Sequence, residues 1–290
     1  MIRCPGCSTL YGSQMDTCEH CGFAPPRIDG HVAWAPEMAA SAEGFKAEYF
    51  EQLAGLEAGN FWFRTRNALV TWALAKYFPS MGSFLEIGCG TGFVLSGVAQ
   101  AFPDARLVAS EVYSAGLCFA AQRVPQATFV QMDARAIPYE DEFDVVGAFD
   151  VVEHIAEDEA VLANMRRAVR PGGGVILSVP QHPSLWSASD EYAHHVRRYT
   201  AAELHDKVRR AGLEILRSTS FVTLPLPAMM LSRRASQDLS KFDPVAELTV
   251  PAPVNAALET ALRLEHIAIR AGVSLPVGGS RLVVARRSKT

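Results

Sequence analysis

The sequence predicts an α/β protein built on a doubly wound, mostly parallel sheet of seven strands, and three observations carry that expectation. From residue 83 onward, short apolar runs alternate with helical stretches. A glycine-rich loop closes the first of those runs, and an acidic residue ends or follows each of the next two. Such alternation makes neighbouring strands parallel, because each crossover helix returns the chain to the same end of the sheet. The helices then cover both faces.

The elements follow in order. Residues 1–26 differ in kind from the rest, being rich in cysteine and glycine and closed by Pro25-Pro26. Residues 27–60 read as a polar linker and a helical cap, with a helix over 43–58 that stops at Gly59-Asn60. The core starts at residue 61, where Phe61, Ala68, Leu69, Trp72 and Leu74 recur near helical spacing through residue 77. Strands are expected at 83–88, 106–111, 127–132, 143–149 and 174–179, with helices at 92–101, 114–122 and 157–169. Glu157, Asp158 and Glu159 complement the N-terminal dipole of the last of these helices. A helix over 200–211 opens on Thr200 with Glu203 three residues on, a capping-box pattern, and a strand follows at 213–220. Residues 221–277 break the rhythm, proline-rich and then helical over 253–271, and read as a helical insertion. Residues 278–290 bring the closing strand, Ser280–Arg286, back to a core that otherwise spans 61–220.

Composition bounds the rest. A chain of 290 residues, 49% apolar and 20% charged, can bury one substantial core. Its net charge of −4 offers no general attraction for nucleic acid. Met1-Ile2-Arg3-Cys4 leads into no apolar signal region. The most apolar run, Phe221–Leu231, spans eleven residues with two prolines. A bilayer crossing takes roughly 20. Packing against the sheet is its plainest role; a lid, a dimer contact or a touch on a membrane surface are the alternatives.

Leu85-Glu86-Ile87-Gly88-Cys89-Gly90-Thr91-Gly92 is the most informative segment. Glycines after a buried strand let the backbone turn tightly and approach a ligand, and the next helix offers it free N–H donors. The spacing is Gly-x-Gly-x-Gly, and Glu86 stands two positions before the first glycine. A carboxylate there suits ammonium and sulfonium charge and would repel a pyrophosphate. Glu111, ending the second strand, can accept both hydroxyls of a ribose, and Asp133, after the third, can accept from an adenine amino group. The three acids together describe a site for a nucleoside joined to an amino acid.

These residues resemble the class I S-adenosylmethionine-dependent methyltransferases, most closely a bacterial small-molecule branch with ubiquinone-type O-methyltransferases and sugar methyltransferases. The resemblance covers about residues 61–220. It implies that Glu86, Gly88 and Gly90 line the methionine part of S-adenosylmethionine, Glu111 the ribose, and Asp133 with Ala134 the adenine. Phe149 and Asp150 would border the methionyl amine. An arginine of the preceding helix, Arg66 or Arg64, would meet the carboxylate.

Methyl transfer is an in-line displacement, so positioning and exclusion of water dominate, and a base is needed only where the acceptor loses a proton. His154, beyond the fourth strand, and His195, in the His194-His195-Val196-Arg197-Arg198-Tyr199 loop, are the candidate bases. Arg197 or Arg198 could grip an anionic acceptor. Residues 195–234 carry eight Lys or Arg against three acids, which favours such an acceptor, whereas 135–160 carry nine acids against one base. No acid at ligand spacing accompanies His182, His194 and His195, so a catalytic metal is not expected.

Cys4-Pro-Gly-Cys7 and Cys18-Glu-His-Cys21 form two CxxC turns, the pattern of a structural Cys₄ zinc ribbon. Such cysteine use fits a reducing cytoplasm. The ribbon could meet a protein partner, a carrier domain or RNA. Three function classes follow: an enzyme methylating a small-molecule, carrier-linked or lipid-linked acceptor; an RNA methyltransferase; and a non-catalytic cofactor-binding protein. Against RNA, Arg3 is the one basic residue before Pro25 other than His20, and Asp150-Val-Val-Glu153 stands where base-methylating enzymes carry an aromatic-proline motif.

Overall fold

A computed structural model describes residues 1–39, 47–235 and 243–289. The chain opens with a small antiparallel pair, β1 (Ile2–Arg3) and β2 (Leu10–Tyr11), and a hairpin, β3 (Arg27–Ile28) and β4 (His31–Ala33). Two helices follow, α1 (Ala47–Leu56) and α2 (Phe61–Tyr77). The first part of the helix expected over 43–58 lies outside the described residues. The alternating region comprises β5 (Ser83–Ile87), α3 (Phe93–Ala101), β6 (Arg106–Glu111), α4 (Ser114–Arg123), β7 (Thr128–Gln131) and β8 (Phe143–Phe149). It continues through α5 (Asp158–Ala168), β9 (Val169–Pro180), α6 (Ala188–Tyr192), α7 (Ala201–Arg210) and β10 (Leu213–Phe221). Then come α8 (Leu226–Ala235), α9 (Pro244–Leu248), α10 (Ala252–Arg270) and β11 (Ser280–Arg287).

One sheet runs β10-β11-β9-β8-β5-β6-β7-β4-β3. The strands from β9 to β4 are parallel, and β11 lies antiparallel between β9 and β10. The seven expected strands are present, but the sheet has nine. Residues 27–33, read as linker, add β3 and β4 to its edge. The pieces are too short to show an alternating pattern, yet the turn between them is legible. Asp29-Gly30, both at positive φ (51° and 84°), is a two-residue hairpin turn of the mirror-image kind that matches strand twist. The strand expected at 174–179 also begins earlier, at Val169, which pairs with Phe143 before the register shifts and resumes at Gly174.

Helices cover both faces. On one, α2, α3, α4 and α10 bury Leu69, Leu95, Leu117 and Leu262 against Phe84 and Val145. On the other, α5 and α7 bury Leu162, Met165, Leu204 and Val208 against Val146 and Leu177. A fully buried Phe84 alone contributes roughly 1.5–3 kcal/mol of hydrophobic stabilisation.

The cysteine ribbon is continuous with this second core, since Ile2, Cys4, Tyr11 and Cys18 are buried in the same cluster. Arg3 N–H donates to the Pro138 carbonyl at 2.7 Å, and the Arg3 guanidinium pairs with Glu140 at 3.0 Å. Beyond β4 the chain climbs the sheet edge as a strap. Trp34 N–H donates to the Gln131 carbonyl, the Gln131 amide exchanges hydrogen bonds with the Ala35 backbone, and Ser114 N–H donates to the Ala39 carbonyl.

Candidate active site

The carboxyl ends of the parallel strands converge on one crevice, where open α/β sheets place ligands. After β5 the chain turns through Gly88, Gly90 and Gly92, all at positive φ (65°, 51° and 76°). At Gly88 a Cβ would lie 2.6 Å from Val151, so the close approach of the β8 loop excludes any side chain. At Gly90 a Cβ would meet open space: the loop's outer face is free for a ligand. The Glu111 carboxylate, at the end of β6, accepts from Gly90 N–H at 3.0 Å and Val112 N–H at 2.8 Å, which ties the loop to the next strand. Burial raises the Glu111 carboxyl above its usual range, against the pull of these N–H groups.

Beneath the loop, Glu86 is 2% exposed and one of its carboxylate oxygens has no hydrogen-bond partner. Burial pushes its pKa up to about 8, although the Arg66 charge opposes the rise. Arg66, buried on α2, pairs with Asp150 and stacks 4.3 Å from the Trp62 ring centroid, and its Nε is unpartnered. Arg64, the alternative on the same helix, turns away and pairs with Glu259 of α10. Asp150 (φ 56°), directly after Phe149, also accepts from the Ser178 hydroxyl at 3.1 Å. A buried carboxylate and a buried guanidinium thus each keep an unused polar atom beside an open glycine face. That donor set fits a ligand with both an ammonium and a carboxylate, as the methionyl end of S-adenosylmethionine has.

After β7, where the resemblance would place the adenine, Asp133 caps a short 3₁₀ helix over Ala134–Ala136 and pairs with Arg135 at 2.9 Å, so Arg135 competes for its carboxylate. Ala134 is buried. A residue the sequence reading missed is Glu57, 5% exposed, which accepts from the Thr91 hydroxyl at 2.6 Å and pairs with Arg123. It fastens the end of the helical cap to the glycine loop.

His154 ends a 3₁₀ helix over Val152–His154, and its ring meets that of His195 edge-on with centroids 4.6 Å apart. Burial, aided by the His195 charge, pushes His154 down to about 4. His195 contacts Asp190 at 2.9 Å through Nδ1. Asp190 in turn caps α6 through Ser187 and pairs with Arg198 at 2.7 Å. Glu153, which the sequence reading gave no role, is 0% exposed, with both carboxylate oxygens lacking a partner. Ligand atoms of Glu153, His154 and His195 all lie within 4.8 Å of one another. Sequence spacing had offered the histidines no acid; the fold supplies one from the β8 loop. Of the other two, His194 is exposed and His182 lies toward Arg281 and Arg198.

Neither arginine is available to grip an acceptor. Arg197 donates to the Ile155 and Ala156 carbonyls and pairs with Asp158 at 2.8 Å, and Arg198 is buried on Asp190. Two further cations of the basic 195–234 stretch likewise face the acidic run. Lys207 pairs with Asp158 at 2.6 Å and Arg210 with Glu159 at 2.8 Å, joining α7 to α5.

In the ribbon, the Sγ atoms of Cys4, Cys7, Cys18 and Cys21 lie within 4.8 Å of one another, and none is in a disulfide. The Cys4–Cys21 and Cys7–Cys18 separations are 3.5 and 3.7 Å. A tetrahedron of thiolates around zinc has edges of about 3.8 Å. The four residues fit that ion.

Residues 58–218, more than half of the chain, match a family model described as a methyltransferase domain. A probable S-adenosylmethionine-dependent methyltransferase of Mycolicibacterium smegmatis is 28% identical over 169 residues, covering 56% of this chain and 63% of that protein. A demethylmenaquinone methyltransferase of Roseiflexus castenholzii is 33% identical over 159 residues, 48% of this chain and 65% of that protein. The chain spans a little under two thirds of the length of these curated relatives. A phosphoethanolamine N-methyltransferase of Haemonchus contortus, solved with S-adenosyl-L-methionine, shares the fold with a TM-score of 0.57 at 16% identity. That match covers 85% of this chain and 58% of the other.

Proposed function

The chain belongs to the class I S-adenosylmethionine-dependent methyltransferases, and from that premise we propose an enzyme that methylates a small-molecule or carrier-linked acceptor. The observation that carries the reading is that the buried Glu86 and Arg66 each keep an unused polar atom, while Gly90 in the loop after Glu86 faces open space. S-adenosylmethionine would supply a methyl group activated by its sulfonium. Arg66 would hold the cofactor's carboxylate, Glu86 and Asp150 its ammonium, and Glu111 the ribose hydroxyls, while Asp133 and Ala134 border the adenine.

The acceptor side is the Glu153, His154 and His195 cluster at the end of β8. Asp190 fixes the His195 ring through Nδ1, which turns Nε2 into the acceptor nitrogen. In the bare cluster His195 is therefore the better placed base, and His154 packs against it. Trp186, Tyr192 and Val196 near this cluster, with Leu224, Met230 and Leu231 around α8, leave apolar surface exposed, which supports an amphipathic or lipid-linked acceptor. Among the described residues no helix is long and apolar enough to cross a membrane. The ribbon would bind structural zinc.

Calorimetry with S-adenosylmethionine and S-adenosylhomocysteine tests the cofactor; no binding of either would end the reading. Transfer of radiolabelled methyl into cell extract, separated into lipid, small-molecule and RNA fractions, tests the acceptor. Label in the small-molecule or lipid fraction is expected, and label confined to RNA would replace this acceptor class with nucleic acid.

A further inference from the structure

We propose that Arg281, with His182 and His205 beside it, holds an oxyanion of the methyl acceptor, a carboxylate or a phosphate. The inference rests on the methyltransferase reading and names the substrate class for it. Three arginines are buried among the described residues, and two of them face aspartates: Arg66 pairs with Asp150, and Arg198 with Asp190. Arg281, on the closing strand and 4% exposed, does not. Its guanidinium donates to the Ser218 and Ser220 hydroxyls at 2.8 and 3.0 Å and to the Pro276 carbonyl at 3.1 Å, all neutral groups. Its Nε has no partner, and no carboxylate opposes the effect of burial on its charge. A guanidinium does not shed its proton in proteins, so burial cannot be relieved by neutralising it. Charge left unpaired in the interior is strongly unfavourable, and an entering anion removes that cost.

The strand register puts this cation at the acceptor end of the sheet. Arg281 pairs across β11 and β9 with Val179, next to the last residue of β9, and His182 follows that strand at a positive φ of 63°. A chain of hydrogen bonds runs from Arg281 through Ser220, Gln181, Arg198 and Asp190 to His195. The candidate base and the unpaired guanidinium therefore belong to one network. Arg197 and Arg198 are spent on carbonyls and aspartates, which leaves the grip on an anion to a residue from the far end of the chain.

Two imidazoles complete the site. His205 Nε2 lies 2.7 Å from the Ser218 hydroxyl oxygen that Arg281 also reaches, and His182 Nε2 is buried without a partner. Burial, and after it the Arg281 charge, holds both rings below their ordinary range, so that charge is felt across the site. Both histidines keep some contact with solvent, and an oxyanion can reach the guanidinium past them. Carboxylate and phosphate oxygens match the planar fork of a guanidinium and can accept from a ring N–H at the same time. An ammonium group would be repelled.

The test titrates inorganic phosphate, and separately acetate, into the full zinc-loaded chain by calorimetry, with S-adenosylhomocysteine already bound so that Arg66 is occupied. Uptake of one anion per chain is expected, and the tighter of the two names the acceptor's group. Arg281→Gln should weaken it about tenfold to a hundredfold, the range for a lost hydrogen bond to a charged group. His182→Ala leaves every contact of Arg281 in place, should weaken binding severalfold, and carries the test if Arg281→Gln does not fold. The favoured anion should also lower radiolabelled methyl transfer into cell extract, because it occupies the acceptor's anchor. A parent that takes up neither anion, affinity unchanged in the folded variants, or a bound anion that leaves transfer undiminished each overturns the proposal. S-adenosylhomocysteine binding without anion uptake removes only the anion site, whereas a parent that binds no S-adenosylhomocysteine removes the methyltransferase reading.

Discussion

At Glu86, burial and function pull the proton in opposite directions. Its folded pKa of about 8 stands above the ordinary carboxylic value of 4.5, so the folded ligand-free chain binds a proton that the unfolded chain releases. That contribution to stability is fully present below the unfolded pKa and is lost as pH rises through about 8. A cationic cofactor favours the ionised form, so its binding should expel a proton and tighten as pH rises toward 8. Calorimetry in buffers of different ionisation enthalpy should detect that proton, and Glu86→Gln should abolish it. At Glu111, replacement by alanine should weaken cofactor binding by about tenfold to a hundredfold, given ~1.5–3 kcal/mol for hydrogen bonds to a charged acceptor. Unchanged affinity would discredit the ribose assignment. Glu86 and Glu111 were legible because the strand pattern fixes their positions. Glu153 was not, because its chemistry comes from His195, which only the folded acceptor loop brings near. The choice between Arg64 and Arg66 likewise needed the facing partners, Glu259 and Asp150.

Among elements, α5 and α7 are joined by the exposed Glu159–Arg210 pair and by one buried carboxylate. Asp158 accepts from the Tyr199 hydroxyl at 2.7 Å and pairs with Lys207 and Arg197. Burial alone would raise its pKa, but Lys207, Tyr199 and Arg197 hold it below the usual value. Its stabilising effect is present above the unfolded pKa and is lost as pH falls through the lowered folded one. Asp158→Ala should cost roughly 2–3 kcal/mol, under the 3–5 of fully buried pairs because Lys207 and Arg197 keep some contact with solvent. Denaturant unfolding at neutral pH measures the loss, and the gap between parent and variant should narrow in acid. Most helix and strand bounds were legible to within a residue or two because their apolar periods are long. The exceptions are β1 to β4, too short to show a period, the helices α6, α8 and α9, and the start of β9.

At the scale of the whole molecule, the ribbon and the crevice are one mechanical system. Its buried cysteines share a core with β8 and α5, and the strap beyond β4 follows β7 toward its carboxyl end. Structural zinc sites contribute on the order of 10 kcal/mol of folding free energy. Removing the ion with a chelator, or making Cys18→Ser, should therefore lower the single melting transition of the whole chain and weaken cofactor binding together. A ribbon that melts alone, with affinity unchanged, would contradict this coupling. The CxxC spacing announced the cluster of four cysteines. The docking was not legible, because Ile2 and Arg3 meet Tyr139, Pro138 and Glu140, far along the chain.

The hairpin at Asp29-Gly30 has one more consequence, for solubility. It covers the β7 edge of the parallel sheet, whose unpaired backbone groups would otherwise template the addition of strands from other molecules. The opposite edge, β10, carries an irregular register between Ile215 and Arg217 and so is a poor template. Because the ribbon holds the chain that leads into the hairpin, a shortage of metal during synthesis would bare the smoother edge. Metal-free chain should then aggregate faster than metal-loaded chain at equal concentration, which light scattering would show.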